Sequence, residues 1–418
     1  MSGVLLPGED RGCWPDGAVA LAARGARIQV HDPAVGGPRW LLDLICGYGA
    51  FNFGHAPRAV LAALSRELAR LDGCVALPSG PAEALAARLV RACGFARGAA
   101  YFSAGGSQAV EIALRIGRLL SGKPRVAAVT AAFHGYGAET IQLSRDFVGG
   151  DHLERLAAAR DVVVLPWNDP AAFAALTAAA PDTGTLIIEP VLGAAGFRVP
   201  DRAWFRRLLS VARGQGMVTV CDEIQVGMGR TGRWLALEHL LPARQDRREL
   251  VDAVTLSKSL AGGVWPLSAV VLNGARFDDL AGLNDRASLG ETFSNNPAAC
   301  AAALVVLDLL DADRGALLAR SRTVGKRLLS HLTSSIRKSG PRGAAARGIG
   351  LALALDMPDK AAAHRLVRHA WDAGLLCYVS GGRRYSCVKL IPPLTVTDRE
   401  VAAIERGLAR ALAALAAE

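Results

Sequence analysis

The sequence predicts an α/β protein built around a mostly parallel β-sheet. Between residues 125 and 256, short β-branched runs alternate with helical stretches, the pattern of right-handed strand–helix–strand crossovers. Two of those runs, 217–221 and 253–256, are almost wholly apolar, as strands covered on both faces must be. Each then runs into polar chemistry, Asp222-Glu223-Ile224-Gln225 after the first and Ser257-Lys258 after the second. Ligands of such sheets sit at the carboxyl ends of the strands, so one carboxylate and one amine can face a common small molecule there.

Size and composition narrow the function classes. The chain of 418 residues is 51% apolar and 21% charged, a globular balance with room for a large core. A net charge of +10 suits anionic ligands and raises the question of nucleic acid. The arginines, however, are scattered among Ala and Leu at helical spacing, with no basic run and no aromatic-interleaved platform, which reads as solvated helix faces. The eight cysteines form no CxxC pair and several lie in apolar stretches. They are expected to be buried free thiols in a reducing compartment, neither disulfides nor metal ligands. Residues 1–7 lack a basic region followed by an apolar core, and no apolar span reaches membrane length. A cytoplasmic protein without a metal site or a membrane segment is the expectation.

Taken in order, strand-like pieces at 26–31 and 40–45 lead into a glycine-dense loop, Cys46-Gly-Tyr-Gly-Ala-Phe-Asn-Phe-Gly-His55. Such a loop lets backbone approach a ligand, and Tyr48 and Phe51 are candidate pocket walls. Helices are expected at 57–71 and 81–93. Tyr101-Phe-Ser-Ala-Gly-Gly-Ser-Gln108 then reads as a strand ending in glycines at the start of a helix over 109–120. Free N–H groups and the positive end of the helix dipole make that start an anion site. Strands follow at 126–130, 162–165, 185–188, 217–221 and 253–256, separated by helices such as 171–180 and 204–213. After Pro297 the pattern turns helical at 298–310 and 317–336, with a strand at 350–356 and a helix at 361–373. Thr397-Asp-Arg-Glu400 has the form of a capping box ahead of Val401, Ile404, Leu408, Leu412 and Leu415 at helical spacing. The organisation expected is an N-terminal part of a small domain at 1–56, a large α/β domain at 57–298 and a C-terminal small α+β domain at 299–418.

Two functional readings compete at the centre. Gly227-Met-Gly229-Arg-Thr-Gly232 satisfies GxGxxG, follows a strand and has Asp252 twenty positions on, which suggests a dinucleotide-binding dehydrogenase. Asp222 and Glu223 stand between strand and glycines, where their charge opposes a pyrophosphate. The other reading combines features. A lysine at a strand end forms an imine with a carbonyl, and a nearby Asp holds a pyridinium nitrogen protonated. A Gly-Ser helix start takes a phosphate, and an aromatic such as Phe133 covers a ring. Those four needs describe pyridoxal phosphate.

From Leu42-Asp-Leu-Ile-Cys-Gly-Tyr-Gly to Ile391-Pro-Pro-Leu394 the chain resembles the class III aminotransferases, the ornithine and ω-amino-acid branch of the fold-type I pyridoxal-phosphate enzymes. The motifs that carry the resemblance are Asp222-Glu-Ile-Gln-Val-Gly-Met-Gly-Arg-Thr-Gly232 with Trp234 and Glu238-His239, Leu256-Ser-Lys258, and Thr292-Phe-Ser-Asn-Asn-Pro297. The resemblance implies a mostly parallel seven-stranded sheet in the large domain and a small domain drawn from both termini. It gives Lys258 the Schiff base, Asp222 the pyridine nitrogen and Gln225 the ring hydroxyl. Phe133, in Phe133-His134-Gly135, stacks on the ring, and Gly106 and Ser107 hold the phosphate together with Thr292 from the partner subunit of a homodimer. Glu189 stands on the substrate side.

Departures from the family pattern mark where specificity changes. Asn-Ser-Gly-Thr-Glu becomes Ala104-Gly105-Gly106-Ser107-Gln108, which keeps the anion site and drops an acid. The Gly-Gly-Gly before Pro-Leu-Gly becomes Gly262-Gly263-Val264-Trp265-Pro266-Leu267-Ser268, adding bulk after the lysine. The arginine that many relatives place ahead of Pro-Pro to hold a substrate carboxylate is Lys389 here, a point charge without a bidentate fork, with Arg383 and Arg384 nearby. Tyr48, Trp265 and Lys389 are therefore the candidate substrate residues. The expected reaction is amino transfer, from the terminal amine of an amino acid, diamino acid or similar amine to a 2-keto acid. Racemisation, epimerisation or amino migration on the same cofactor is the alternative, and a nicotinamide dehydrogenase or a non-catalytic relative stands further off.

Overall fold

The structure is a computed structural model that describes residues 13–71, 77–147, 162–277, 282–287 and 289–418. The N-terminal stretch 1–7 and Cys74 lie outside the described residues.

Strands Val19–Arg24 (β1), Arg27–Asp32 (β2) and Gly37–Asp43 (β3) form an antiparallel meander. Two helices follow, Arg58–Arg70 (α1) and Gly80–Ala92 (α2). The second starts where the Ser79 hydroxyl accepts the Ala82 N–H, with Pro81 in the first turn.

The centre is a sheet of seven strands, Gly98–Ser103 (β4), Arg125–Val129 (β5), Val162–Leu165 (β6), Thr183–Ile188 (β7), Val218–Asp222 (β8), Ala253–Leu256 (β9) and Ser268–Asn273 (β10), in the order β4-β10-β9-β8-β7-β5-β6. β10 runs antiparallel to both its neighbours and the remaining pairs are parallel. Every residue of β7, β8 and β9 is buried, which is why these strands lack polar alternation. The strand 268–273 was not expected. A short run that is apolar throughout carries no alternation by which to recognise it.

Because β4, β5, β7, β8 and β9 all run one way, Ser103, Val129, Ile188, Asp222 and Leu256 end on one edge of the sheet. The segments that leave that edge contain Gly106-Ser107, Phe133-His134, Glu189, Gln225 and Lys258. Sheet direction alone therefore gathers residues from 106 to 258 into one place.

The helix Gly106–Ser121 (α3) begins earlier than 109, and Ala109, Val110, Ala113, Leu114 and Ile116 bury its apolar stripe in a cluster shared with Ile187, Val220 and Val270 of the sheet. Gly117 is what lets it lie so close. A Cβ there would stand 2.3 Å from Thr185 Oγ1 and 3.0 Å from its Cγ2. The helix ends at Gly122, whose φ of 68° suits a left-handed cap.

The C-terminal third opens with a long helix, Pro297–Ser339 (α4), capped by Asn296 and interrupted by non-helical backbone at 312–315, so the two expected helices lie on either side of that break. A second antiparallel sheet takes Ala345–Ile349 (β11), Ala352–Asp356 (β12), Tyr378–Ser380 (β14) and Cys387–Leu390 (β15). The helix Lys360–Asp372 (α5) precedes Leu375–Leu376 (β13), which pairs parallel with β3. The N-terminal meander is thus completed by a strand more than 300 residues away in sequence. The final helix, Asp398–Ala417 (α6), carries the expected capping box between Thr397 and Glu400.

Gly117→Ala should remove the close approach of α3 to β7. We expect a loss of roughly 1–3 kcal/mol, the usual cost of overpacking a filled interface, read as a lowered denaturation midpoint.

Candidate active site

A cavity of about 710 Å³ opens at the carboxyl edge of the sheet. Its walls include Tyr48, Gly106, Ser107, Phe133, His134, Glu189, Asp222, Gln225, Lys258 and Lys389. Ten of the twelve predicted site residues therefore meet in one space.

Lys258 is the second residue beyond β9. Its φ of 47° is a conformation that costs a non-glycine residue roughly 1 kcal/mol, and such strain collects at functional sites. Ser257 is fixed behind it by a hydroxyl pair with Ser268 at 2.9 Å. Burial pushes the Lys258 amine below the ordinary lysine range, while the carboxylates of Asp222 and Glu189 oppose that shift. An amine so placed spends more time as the free base.

Asp222 ends β8 and is held by three donors. His134 Nδ1 lies 2.7 Å from Oδ2, and Oδ1 accepts the Thr255 hydroxyl at 3.0 Å and the Ile224 N–H at 3.1 Å. The Thr255 contact follows from register, since Asp222 and Thr255 are paired across β8 and β9. His134 Nε2 is buried and has no partner.

Glu189, one residue past β7, accepts the Phe133 N–H through Oε1 and the Gly193 N–H through Oε2, both at 2.9 Å. Burial pushes its carboxyl up to about 7, against the attraction of His134. The first contact fixes the Phe133 backbone at the cavity wall, and the ring is braced edge-on by Tyr136 and Phe147 at centroid distances of 4.9 and 5.6 Å.

The start of α3 is an anion cradle. Gly105 caps it without a side-chain hydrogen bond, so the first N–H groups are left for a ligand. A Cβ on Gly106 would sit 3.3 Å from Ile224 Cδ1, and one on Gly135, where φ is 122°, would sit 2.2 Å from Ser107 Oγ. Ser107 Oγ accepts the Tyr136 N–H at 3.1 Å. Lysine amine, buried carboxylate, braced phenyl ring and phosphate-ready helix start together form the donor set that pyridoxal 5'-phosphate requires.

Residues 22–412 match the family model for aminotransferase class-III. The chain belongs to that family. It is 36% identical over 367 residues to an acetylornithine aminotransferase of Streptomyces coelicolor, covering 87% of this chain and 84% of the relative. It is 30% identical over 396 residues to the 5-aminovalerate aminotransferase DavT of Pseudomonas aeruginosa, covering 89% of this chain and 88% of that one. An amine transaminase from an uncultivated Pseudomonas species, solved with pyridoxal phosphate bound, superposes with a TM-score of 0.79 at 27% identity, over 96% of this chain and 95% of that one. The protein is a pyridoxal-phosphate-dependent aminotransferase of fold type I.

In this aminotransferase the glycines at 227–232 are structural. All six positions are buried in turns, with Arg230 donating to Leu351 O, Pro392 O and Asn52 Oδ1. A Cβ on Gly229 would meet Leu310 and Leu394 at 2.8 Å. Asp252 lies just before β9, at the opposite edge of the sheet, bound to Thr219 and Arg276. The short helix after the glycines, Leu237–Leu240, has the N–H groups at its start bonded to the Glu223 carboxylate, and Asp252 is not on the ligand side, so the dinucleotide alternative has neither of its contacts.

Other expectations are corrected or extended. Phe51 does not line the cavity; its ring fills the gap beside Gly47 and Gly263, 4.5 Å from the His55 ring. Trp265 is 37% exposed and Thr292 is also exposed, and neither lines the cavity within one protomer. Arg384 is exposed and pairs with Asp146 at 2.8 Å. Sequence reasoning missed Tyr136, Phe147 and the Tyr378–Gly382 segment, all on the cavity wall. Only the Gly381-Gly382 pair offered a signal, and glycine pairs occur in many turns. The seven described cysteines are all buried, and Cys46, Cys93, Cys221, Cys300, Cys377 and Cys387 are free thiols.

Gly135→Ala should drive a methyl into Ser107 and spoil the cradle. We expect cofactor affinity to fall at least about tenfold, the equivalent of one lost charge-assisted hydrogen bond, measured by titrating apoprotein with pyridoxal 5'-phosphate and following absorbance.

Proposed function

We propose that the chain moves the terminal amino group of an amino acid, a diamino acid or a similar amine to a 2-keto acid such as 2-oxoglutarate. The observation that carries this reading is the convergence of Lys258, Asp222 and Glu189 on one cavity, with the amine shifted toward its free base by burial. The names of the acetylornithine and 5-aminovalerate relatives support a terminal amine as donor.

When bound, pyridoxal 5'-phosphate supplies an aldehyde that takes up an amine and a ring that accepts the electron pair released when the substrate C–H bond breaks. Lys258 would hold the cofactor through Nζ and, once released, would carry the proton between the substrate carbon and the cofactor side. Asp222 would keep a proton on the ring nitrogen, and its oxygens are already fixed by their hydrogen bonds. Gln225 would hold the ring hydroxyl and Phe133 would pack against the ring, with His134 securing Asp222. Gly106 and Ser107 bind the phosphate by their backbone. Glu189, Tyr48 and Lys389 border the substrate side.

The exposed Thr292 and Trp265 reach the cavity across a subunit boundary in this reading, so the working unit is a homodimer with shared sites. The division into 1–56, 57–298 and 299–418 goes with it, the first and last parts sharing the sheet that joins β3 to β13. Among the described residues no helix is long and apolar enough to cross a membrane, and the buried thiols support a cytoplasmic setting.

Absorbance of the holoenzyme should change as donor amines are added, and 2-oxoglutarate should restore it. Lys258→Ala should lose turnover by at least about a thousandfold while still binding the cofactor. Full activity in that variant sinks the reading, and product formed without any keto acid points to racemisation or amino migration. Sedimentation should give an active dimer, and an active monomer would contradict the shared site.

A further inference from the structure

The family position that holds a substrate carboxylate is occupied by Lys389, and its surroundings describe another task. Lys389 lies on β15 opposite Tyr378 of β14. Its side chain is 0% exposed. Nζ donates to Gln225 Oε1 at 2.8 Å and stands 4.3 Å from the Phe197 ring and 5.6 Å from the Tyr378 ring. Two aromatic rings and an amide oxygen therefore surround the amine on the wall of the cavity.

The consequence falls on Gln225. A glutamine amide accepts at one end and donates at the other, and its orientation is set by its partners. The Tyr48 carbonyl only accepts, so Nε2 is turned to it at 2.9 Å, and Oε1 is thereby turned to Lys389 Nζ. Gly193 leaves the space for this, since a Cβ there would lie 2.2 Å from Gln225 Oε1. One Nε2 hydrogen remains for the cavity.

We propose that Lys389 is a positioning residue that acts through Gln225, presenting the donor end of that amide to the cofactor ring, and is not the anchor of a substrate carboxylate. The inference rests on the proposed contact between Gln225 and the ring hydroxyl. The titratable groups around the amine are Lys258 and Glu189 at the cavity, Cys387 along β15 and Arg230. Burial, with Lys258 and Arg230, pushes the Lys389 amine down to about 7, against Cys387 and Glu189. A neutral amine still donates a hydrogen bond, whereas a neutral amine is a poor anchor for an anion.

The test compares holoenzyme carrying K389M or Q225A with the native protein, recording the absorption maximum of the bound cofactor, its midpoint on pH titration, and kcat and KM for 2-oxoglutarate. We expect K389M to move the midpoint in the same direction as Q225A and to lower kcat about tenfold, with KM within about twofold. A KM raised tenfold or more with an unmoved chromophore overturns the inference. Movement in Q225A but not in K389M overturns it as well, while no movement in Q225A defeats the Gln225 contact on which it rests. Should K389M fail to fold, K389R decides. A positioning role predicts native spectrum and KM, and a carboxylate anchor predicts a KM lowered about tenfold by the bidentate fork.

Discussion

Lys258 is held at a positive φ with much of its amine's water removed, facing two buried carboxylates across a cavity. Desolvation favours the free base and the carboxylates favour the cation, so the amine is balanced between its two forms. The roles of nucleophile and proton carrier proposed for Lys258 draw on that balance, which requires the carboxylates to stay in place. Asp222 is fixed by His134, Thr255 and the Ile224 N–H, and Glu189 by the N–H groups of Phe133 and Gly193. The strand register that pairs Asp222 with Thr255 is therefore part of the chemistry.

Much of what surrounds this centre is close packing that only glycine permits. Gly117 lets α3 lie against β7, Gly135 lets the Phe133 segment pass Ser107, and Gly193 leaves room for the Gln225 amide. At Gly135 and Gly193 the close approach is to Ser107 and Gln225, polar groups of the cavity wall.

The central strands were legible because burial on both faces leaves runs such as Val-Thr-Val-Cys ahead of Asp222, and the capping box at Thr397 was legible because it is local. The antiparallel strand at 268–273 was not, since its register depends on two neighbours, one of them β4 some 165 residues earlier. The same limit explains Phe51, assigned to a pocket wall by its loop and found instead in a gap left by Gly47 and the distant Gly263. It explains Lys389 too. Its distance from Pro392-Pro393 was readable, and its captivity by Gln225, Phe197 and Tyr378 was not.

The sequence by itself determined the fold class and the family, and it named the lysine, the carboxylates and the glycine helix start that meet at the cavity, because those depend on residue type and on local pattern. Tertiary structure decided what each polar group is bonded to. It turned GxGxxG from a ligand loop into packing around Arg230, left Trp265 and Thr292 outside the cavity of their own protomer, and bonded Lys389 to Gln225 at the cavity wall. The physical reason is the same in each case. Desolvation and hydrogen-bond partnership are set by residues far apart in the chain, and spacing along the sequence does not encode them.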